Sequence, residues 1–254
     1  MERGEFLRKH GTGALISGFG LISLLILGGK DIGTVMVLTL ILLGMLFISG
    51  ERIPLLLLIG GICLAAIIAL ALLRPTLLLR LTAFLDPFSA AHYRGLGWQP
   101  AHSRMALATG GVFGVGLGGS RQKWGNLGPE AHTDFIFAVI GEEIGLLGTT
   151  IVLAAFFMIA WAGIKTAIAT RDAFSRYAVA GVTIWVIAQA SINIGSVTGV
   201  FPVVGLPLPL VSYGGSALIS SMVGLAFILG VARREPAAKE YFDARPKILE
   251  WRKR

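Results

Sequence analysis

Ile53–Leu73 reads IPLLLLIGGICLAAIIALALL, a run without one charged residue. A helix needs roughly 20 mainly apolar residues to cross the hydrocarbon of a bilayer, and this run has that length. The rest of the chain agrees with it. Of 254 residues, 55% are hydrophobic and 14% charged, with a mean hydropathy of +0.78, whereas soluble domains carry about 25% charged residues. The composition is that of a membrane protein.

Two further spans precede this run, Gly11–Gly29 and Ile32–Ser49, separated only by Lys30 and Asp31. Three more are expected after a long loop, over Ile144–Ile164, Tyr177–Val197 and Ser216–Ala232. No internal repeat or low-complexity linker divides them. The expected fold is therefore all-α: a polytopic membrane helix bundle of about six transmembrane helices over residues 1–234. One long loop spans residues 74–134, and a basic tail covers 235–254. The charged N-terminus, MERGEFLRKH, leads into an apolar run with no small-residue cleavage site, so the first run is read as a retained span. Cys63 is the only cysteine, which excludes an intrachain disulfide.

Orientation follows from basic residues beside the spans. With six crossings, one side holds fifteen of the 22 Lys and Arg: Arg3, Arg8, Lys9, Arg52, Lys165, Arg171, Arg176 and the eight from Arg233 onward. The other side holds seven: Lys30, Arg74, Arg80, Arg94, Arg104, Arg121 and Lys123. Both termini are expected to be cytoplasmic and the 74–134 loop extracytoplasmic. The net charge of +8 fits a juxtamembrane tail facing anionic lipid, and no nucleic-acid module is present.

The loop is too apolar for disorder and too long for a plain connection. Its centre, Gly110–Gly148, reads GGVFGVGLGGSRQKWGNLGPEAHTDFIFAVIGEEIGLLG. Met105–Phe113 is expected to form a short helix, and Phe135–Ile140 a half-helix dipping into the membrane face. Gly114, Gly116, Gly118 and Gly119 suit turns or close packing. Asp134 lies where polar loop meets apolar half-helix. From the residues alone it reads as a base with a raised pKa, or, with Thr133, as a cap on the following helix. Val200–Ser216, with Pro202, Pro207 and Pro209, cannot be regular helix. Broken backbone at membrane depth belongs where protein or a cavity satisfies its polar groups. Gln189 and Asn193, four apart, read as an interhelical hydrogen-bonding pair. Glu142 and Glu143 are paired or cavity-facing acids.

Taken together, several motifs in order resemble one family. They are Lys30-Asp-Ile-Gly-Thr34, Asp86-Pro87 with Trp98-Gln99, and Gly114-x-Gly-Leu-Gly-x-Ser-Arg-Gln-Lys-Trp124. Pro129-Glu-Ala-His-Thr-Asp-Phe-Ile-Phe-Ala-Val-Ile-Gly-Glu-Glu-Ile-Gly145, Gln189-x-x-x-Asn193-Ile-Gly195, Gly205-Leu-Pro-Leu-Pro209 and Ser212-Tyr-Gly-Gly-Ser216 follow. The chain resembles the SEDS family (shape, elongation, division and sporulation; FtsW, RodA, SpoVE), and is most similar to its division-type FtsW branch. The resemblance implies a peptidoglycan glycosyltransferase of the bacterial plasma membrane that polymerises lipid II in cell division or cell-wall synthesis. Its partners would be a class B penicillin-binding protein and other divisome membrane proteins. The catalytic aspartate of the family motif is Asp134 here. Family members have about ten spans, and this chain matches from the fifth onward, so helices, an arginine and a lysine of the usual pocket lie outside it. Gly128 and Pro100-Ala-His102-Ser103 depart from the usual pattern.

On that reading Arg121 and Lys123 would bind the diphosphate of the substrate, arginine bidentately. Glu130 and His132 would support Asp134, and Ser212 and Tyr213 would shape the substrate cavity. A divalent cation (Mg or Mn) suits a diphosphate leaving group, although no ligand spacing signals a metal site. Two rival functions accompany this one. Broken helices and intramembrane acids also suit a lipid II transporter, and a chain lacking part of the pocket suits a non-catalytic divisome scaffold.

Overall fold

The structure, a computed structural model, describes residues 2–29, 31–73 and 75–235. The basic tail expected over 235–254 lies outside the described residues beyond Glu235. The described residues contain helices and no strand. In chain order these are α1 (Glu2–Gly28), α2 (Ile32–Ile48), α3 (Ile53–Leu73), α4 (Pro75–Leu85), α5 (Trp98–Gly110), α6 (Ile136–Glu143), α7 (Gly145–Ala169), α8 (Ala173–Thr198) and α9 (Gly215–Ala232). Single turns of π-helix (Gln122–Asn126) and 3-10 helix (Gly128–His132) lie between α5 and α6.

Among the described residues, four helices are long and apolar enough to cross a membrane, within α3, α7, α8 and α9. The two N-terminal candidates are shorter, Gly13–Gly28 and Ile32–Ile48. The 17 residues of α2 reach about 26 Å, slightly below the hydrocarbon thickness. The expected boundaries shift at both ends of α7 and α8, because hydropathy marks the apolar middle of a helix while its ends are set by caps. Asp172 caps α8 by accepting the Ser175 N–H at 2.8 Å, and Asp31 caps α2 by accepting that of Thr34 at 2.9 Å. The short helix expected at Met105–Phe113 instead runs Trp98–Gly110. Helix α4 falls in a part of the loop to which the sequence assigned no element.

Helix α8 is the centre of the bundle, between α2 and α7, with α9 against its N-terminal half. Three glycines on three helices make this approach possible. A Cβ on Gly44 (α2) would lie 2.6 Å from Ile184, one on Gly224 (α9) 2.9 Å from Val182, and one on Gly163 (α7) would collide with Thr183. Lipid tails compete equally for apolar surface, so small residues and close packing associate helices in a membrane. By contrast, no residue of Ile53–Leu70 is buried within the protein, and α3 sits at the edge. The largest apolar cluster joins Phe135, Phe137, Phe156, Val186, Val197 and Leu208. It carries α6, half-buried in the bundle, and with it the end of the long loop.

Candidate active site

The site is built on three consecutive carbonyls. The 3-10 turn Gly128–His132 ends in Thr133, whose N–H and that of Phe135 both donate to Glu130 O, at 3.2 and 3.0 Å. The carbonyls of the next residues therefore point away from any helix, and each finds a donor elsewhere. Tyr213 N–H donates to His132 O at 2.9 Å. Ser212 Oγ–H donates to Thr133 O at 2.5 Å. Asn193 Nδ2–H donates to Asp134 O at 2.8 Å.

The same groups hold the proline-broken segment. The second Asn193 N–H donates to Leu206 O at 2.6 Å, and Gln189 Nε2–H to Pro207 O at 2.9 Å. Ser212 Oγ also accepts the Leu208 N–H at 2.7 Å. Gln189 and Asn193 thus satisfy backbone that prolines keep out of a helix. The interhelical pairing expected of them is corrected: they join α8 to the Leu206–Tyr213 segment and to the residue carrying the candidate base. Asn193 is buried, and its Oδ1 has no partner among the described residues.

Asp134 does not cap α6. The capping position is Phe135, with no side-chain cap, and Thr133 Oγ1 bonds back to Glu130 O. The Asp134 carboxyl is half-buried, and its pKa is raised, first by loss of solvent and second by the Glu130 carboxylate. Oδ2 faces Gly205, where even a Cβ would stand only 3.6 Å away. Gly205 has a φ of +74°, a conformation that favours glycine.

His132 is exposed and meets the Tyr213 ring edge-on, with centroids 5.4 Å apart. The two rings, with Ser212, Leu210 and Gly214, line a cavity of about 380 Å³. A second cavity, of about 340 Å³, shares His132 and adds Lys123, Glu143 and Gly128. The structure thus brings Glu130 near Asp134 and ties Ser212 and Tyr213 to the backbone of Thr133 and His132, with Lys123 on the same cavity as His132. Asp134 itself lines neither cavity. Ser212 is buried, with its hydroxyl engaged by two backbone groups, so what it contributes is position. Arg121 is exposed and lines neither space. Lys123 pairs with Glu143 at 3.4 Å.

Glu142 is the residue whose role the sequence left open. It is buried, and its carboxylate accepts from Ser120 Oγ (2.5 Å), Arg121 N–H (3.1 Å), Gln122 N–H (3.3 Å) and Thr109 Oγ1 (3.4 Å). A buried charge is tolerated when hydrogen bonds replace its water, and here they fasten the Ser-Arg-Gln-Lys turn to α6. The turn is also held from the other side. Trp98 Nε1–H donates to Asn126 O at 2.6 Å, and His102 Nδ1 pairs with Gln122 Oε1 at 2.7 Å. Among the described residues, no three His, Cys, Asp or Glu side chains are grouped to hold a metal.

The chain has relatives. The family described as Cell cycle protein, grouping FtsW, RodA and SpoVE, matches residues 5–236. Stage V sporulation protein E of Bacillus subtilis strain 168 is 41% identical over 201 residues, 79% of this chain and 54% of that protein. The probable peptidoglycan glycosyltransferase FtsW of Coxiella burnetii is 41% identical over 220 residues, 84% of this chain and 57% of that protein. The chain therefore spans a little over half the length of these curated relatives. Among solved structures, a chain of a peptidoglycan synthase complex, studied for coordination of polymerization and crosslinking, is similar at a TM-score of 0.67 and 28% identity. That likeness covers 86% of this chain and 61% of the other. A mutant of the rod shape determining protein RodA of Thermus thermophilus is similar at 0.54 and 25% identity, over 87% and 57%. With its apolar helices and its matched length, this membrane protein belongs to the cell cycle protein family of FtsW, RodA and SpoVE.

Proposed function

We propose that the chain forms the acceptor-activating half of a peptidoglycan glycosyltransferase that polymerises lipid II. One observation carries this reading. The backbone of His132, Thr133 and Asp134 is clamped at three successive carbonyls while the half-buried Asp134 side chain, beside Gly205, has a raised pKa. A raised carboxylate held at fixed position is suited to accept a proton from a sugar hydroxyl. The relatives named peptidoglycan glycosyltransferase support the choice of reaction.

In the reaction, the acceptor hydroxyl oxygen bonds to the anomeric carbon of the donor glycan while the bond from that carbon to the diphosphate oxygen breaks. The proton passes to Asp134, and the diphosphate leaves as an anion on its lipid. Arg121 and Lys123 meet that anion, Lys123 by exchanging Glu143 for phosphate. Glu130 holds up the pKa of Asp134, and His132 and Tyr213 form the sugar-facing wall. A divalent cation, Mg or Mn, would be held by the Glu130 and Asp134 carboxylates and would serve to neutralise the diphosphate. The loop faces outward, both termini face the cytoplasm, and a transpeptidase of the class B penicillin-binding type is the partner. The synthase complex with which the fold is shared supports a crosslinking partner.

The test is glycan synthesis from lipid II by the intact protein with its transpeptidase, comparing wild type with Asp134→Asn. Glycan strands from the wild type and a loss on the order of a hundredfold or more in the variant are expected. Full activity in the variant removes Asp134 from the chemistry. Movement of lipid II across vesicles without polymerisation would instead indicate the transporter, and neither activity the scaffold.

A further inference from the structure

The run Gly111-Val-Phe-Gly-Val-Gly-Leu-Gly118 takes no part in the site just described. Gly114, Gly116 and Gly118 have φ of +77°, +98° and +77°, a region that favours glycine. Apolar residues beside them are unusually bare: Phe113 is 84% exposed and Leu117 83%. Trp124 is 74% exposed and donates its indole N–H to Gly118 O at 3.4 Å, with Lys123 Nζ 5.3 Å from its ring. A contiguous apolar group of this kind marks a contact surface.

What covers it follows from where it is tied. Leu146 N–H donates to Gly111 O at 2.9 Å, Val115 N–H to Glu142 O at 2.9 Å, and Gly116 N–H to Glu143 O at 3.0 Å. These bonds fix the run to the break between α6 and α7. Helix α7 has 25 residues, about 38 Å, and exceeds the hydrocarbon thickness of about 30 Å. Its first turn therefore lies at the membrane interface. Leu146 and Leu147 in that turn are exposed, so apolar surface continues from the lipid-facing side of α7 onto the glycine run. An indole beside a lysine is the pairing that populates this depth.

We infer that Phe113, Val115, Leu117 and Trp124 form a rigid wedge set into the bilayer leaflet on the loop's side, with lipid as its partner. The inference does not depend on the reaction proposed above. It is tested in the intact protein in phosphatidylethanolamine–phosphatidylglycerol nanodiscs. A nitroxide is placed at Leu117→Cys or, separately, Phe113→Cys, in a Cys63→Ser background, with Ile151→Cys on α7 as the lipid-facing reference. Power saturation should show both loop labels colliding several-fold more with oxygen than with a water-soluble nickel chelate, as at Ile151. Preferential collision with the chelate overturns the wedge. So does shielding from both reagents, whether that shielding arises only with the transpeptidase bound, which would make the surface a protein interface, or without it. Two label positions keep the test valid if one variant fails to fold.

Discussion

At the scale of residues, the Asp134 carboxyl has a raised pKa for two separable reasons, and each gives a prediction. In the proposed reaction the carboxylate is the active form of the base, so activity should fall as pH falls through a pKa above the ordinary value near 3.9. Glu130→Gln removes the smaller cause and should shift the acidic limb of the pH–rate profile toward lower pH, leaving it above the ordinary range because burial remains. An unmoved limb would exclude Glu130 as an electrostatic partner. The stability consequence has the opposite direction. A carboxyl whose folded pKa is raised destabilises the fold above that pKa, and the penalty disappears as pH falls below the unfolded value. Asp134→Asn should therefore raise the melting temperature at neutral pH while activity is lost. The gain should stay below about 1 kcal/mol, because the group is half-exposed and screened, and should close toward about pH 4. Scanning calorimetry from pH 4 to 8 checks it. Asp134 was legible in the sequence as a position, through the His-Thr-Asp-Phe motif, while its surroundings were not. The donors to residues 132–134 come from 59 to 79 or more positions away, and no local spacing encodes such a meeting.

At the scale of elements, hydropathy located the helices and missed what stops and fastens them. Helix α4 carries Arg80 and Thr82 among leucines in only 11 residues, too short and too mixed for a span. The α6–α7 break was anticipated as a half-helix, but its cause is steric: Gly145, at φ +76°, lies so close to Val112 that a Cβ would stand 2.5 Å from its carbonyl oxygen. Glu142 was visible only as a costly acid, because its partner Ser120 stands 22 positions earlier. Replacing it tests the clasp. Glu142→Ala removes the acceptor of two backbone N–H groups and two hydroxyls, and hydrogen bonds to a charged group contribute about 1.5–3 kcal/mol each, not additively. Hydrogen exchange should quicken at Arg121 and Gln122 far more than at α8 amides, and equal protection in the variant would refute the fastening. Packing around α8 allows a second test. Gly163→Ala should cost roughly 1–3 kcal/mol by overpacking against Thr183. Thr183→Ala in the same protein should recover part of it, a coupling that independent sites would not show.

At the scale of the molecule, the proposed reaction requires that the segment carrying Asp134 face the side where lipid-linked precursor would be polymerised. If six helices cross, fifteen basic residues fall on one side and seven on the other, and Lys and Arg are retained on the cytoplasmic side. The link between α7 and α8 is short and capped by Asp172, so it lies at the opposite end of α7 from the α6–α7 break. Two single cysteines in a Cys63→Ser background make the argument measurable. Leu96→Cys lies on the exposed loop before α5, and Arg171→Cys on the exposed α7–α8 link. In intact cells whose outer barrier has been removed, a membrane-impermeant maleimide should label position 96 and leave position 171 untouched until the membrane is permeabilised. The reverse pattern would put Asp134 with the cytoplasm, where polymerised glycan could not leave the cell. Labelling of both positions before permeabilisation would break the six-crossing alternation itself.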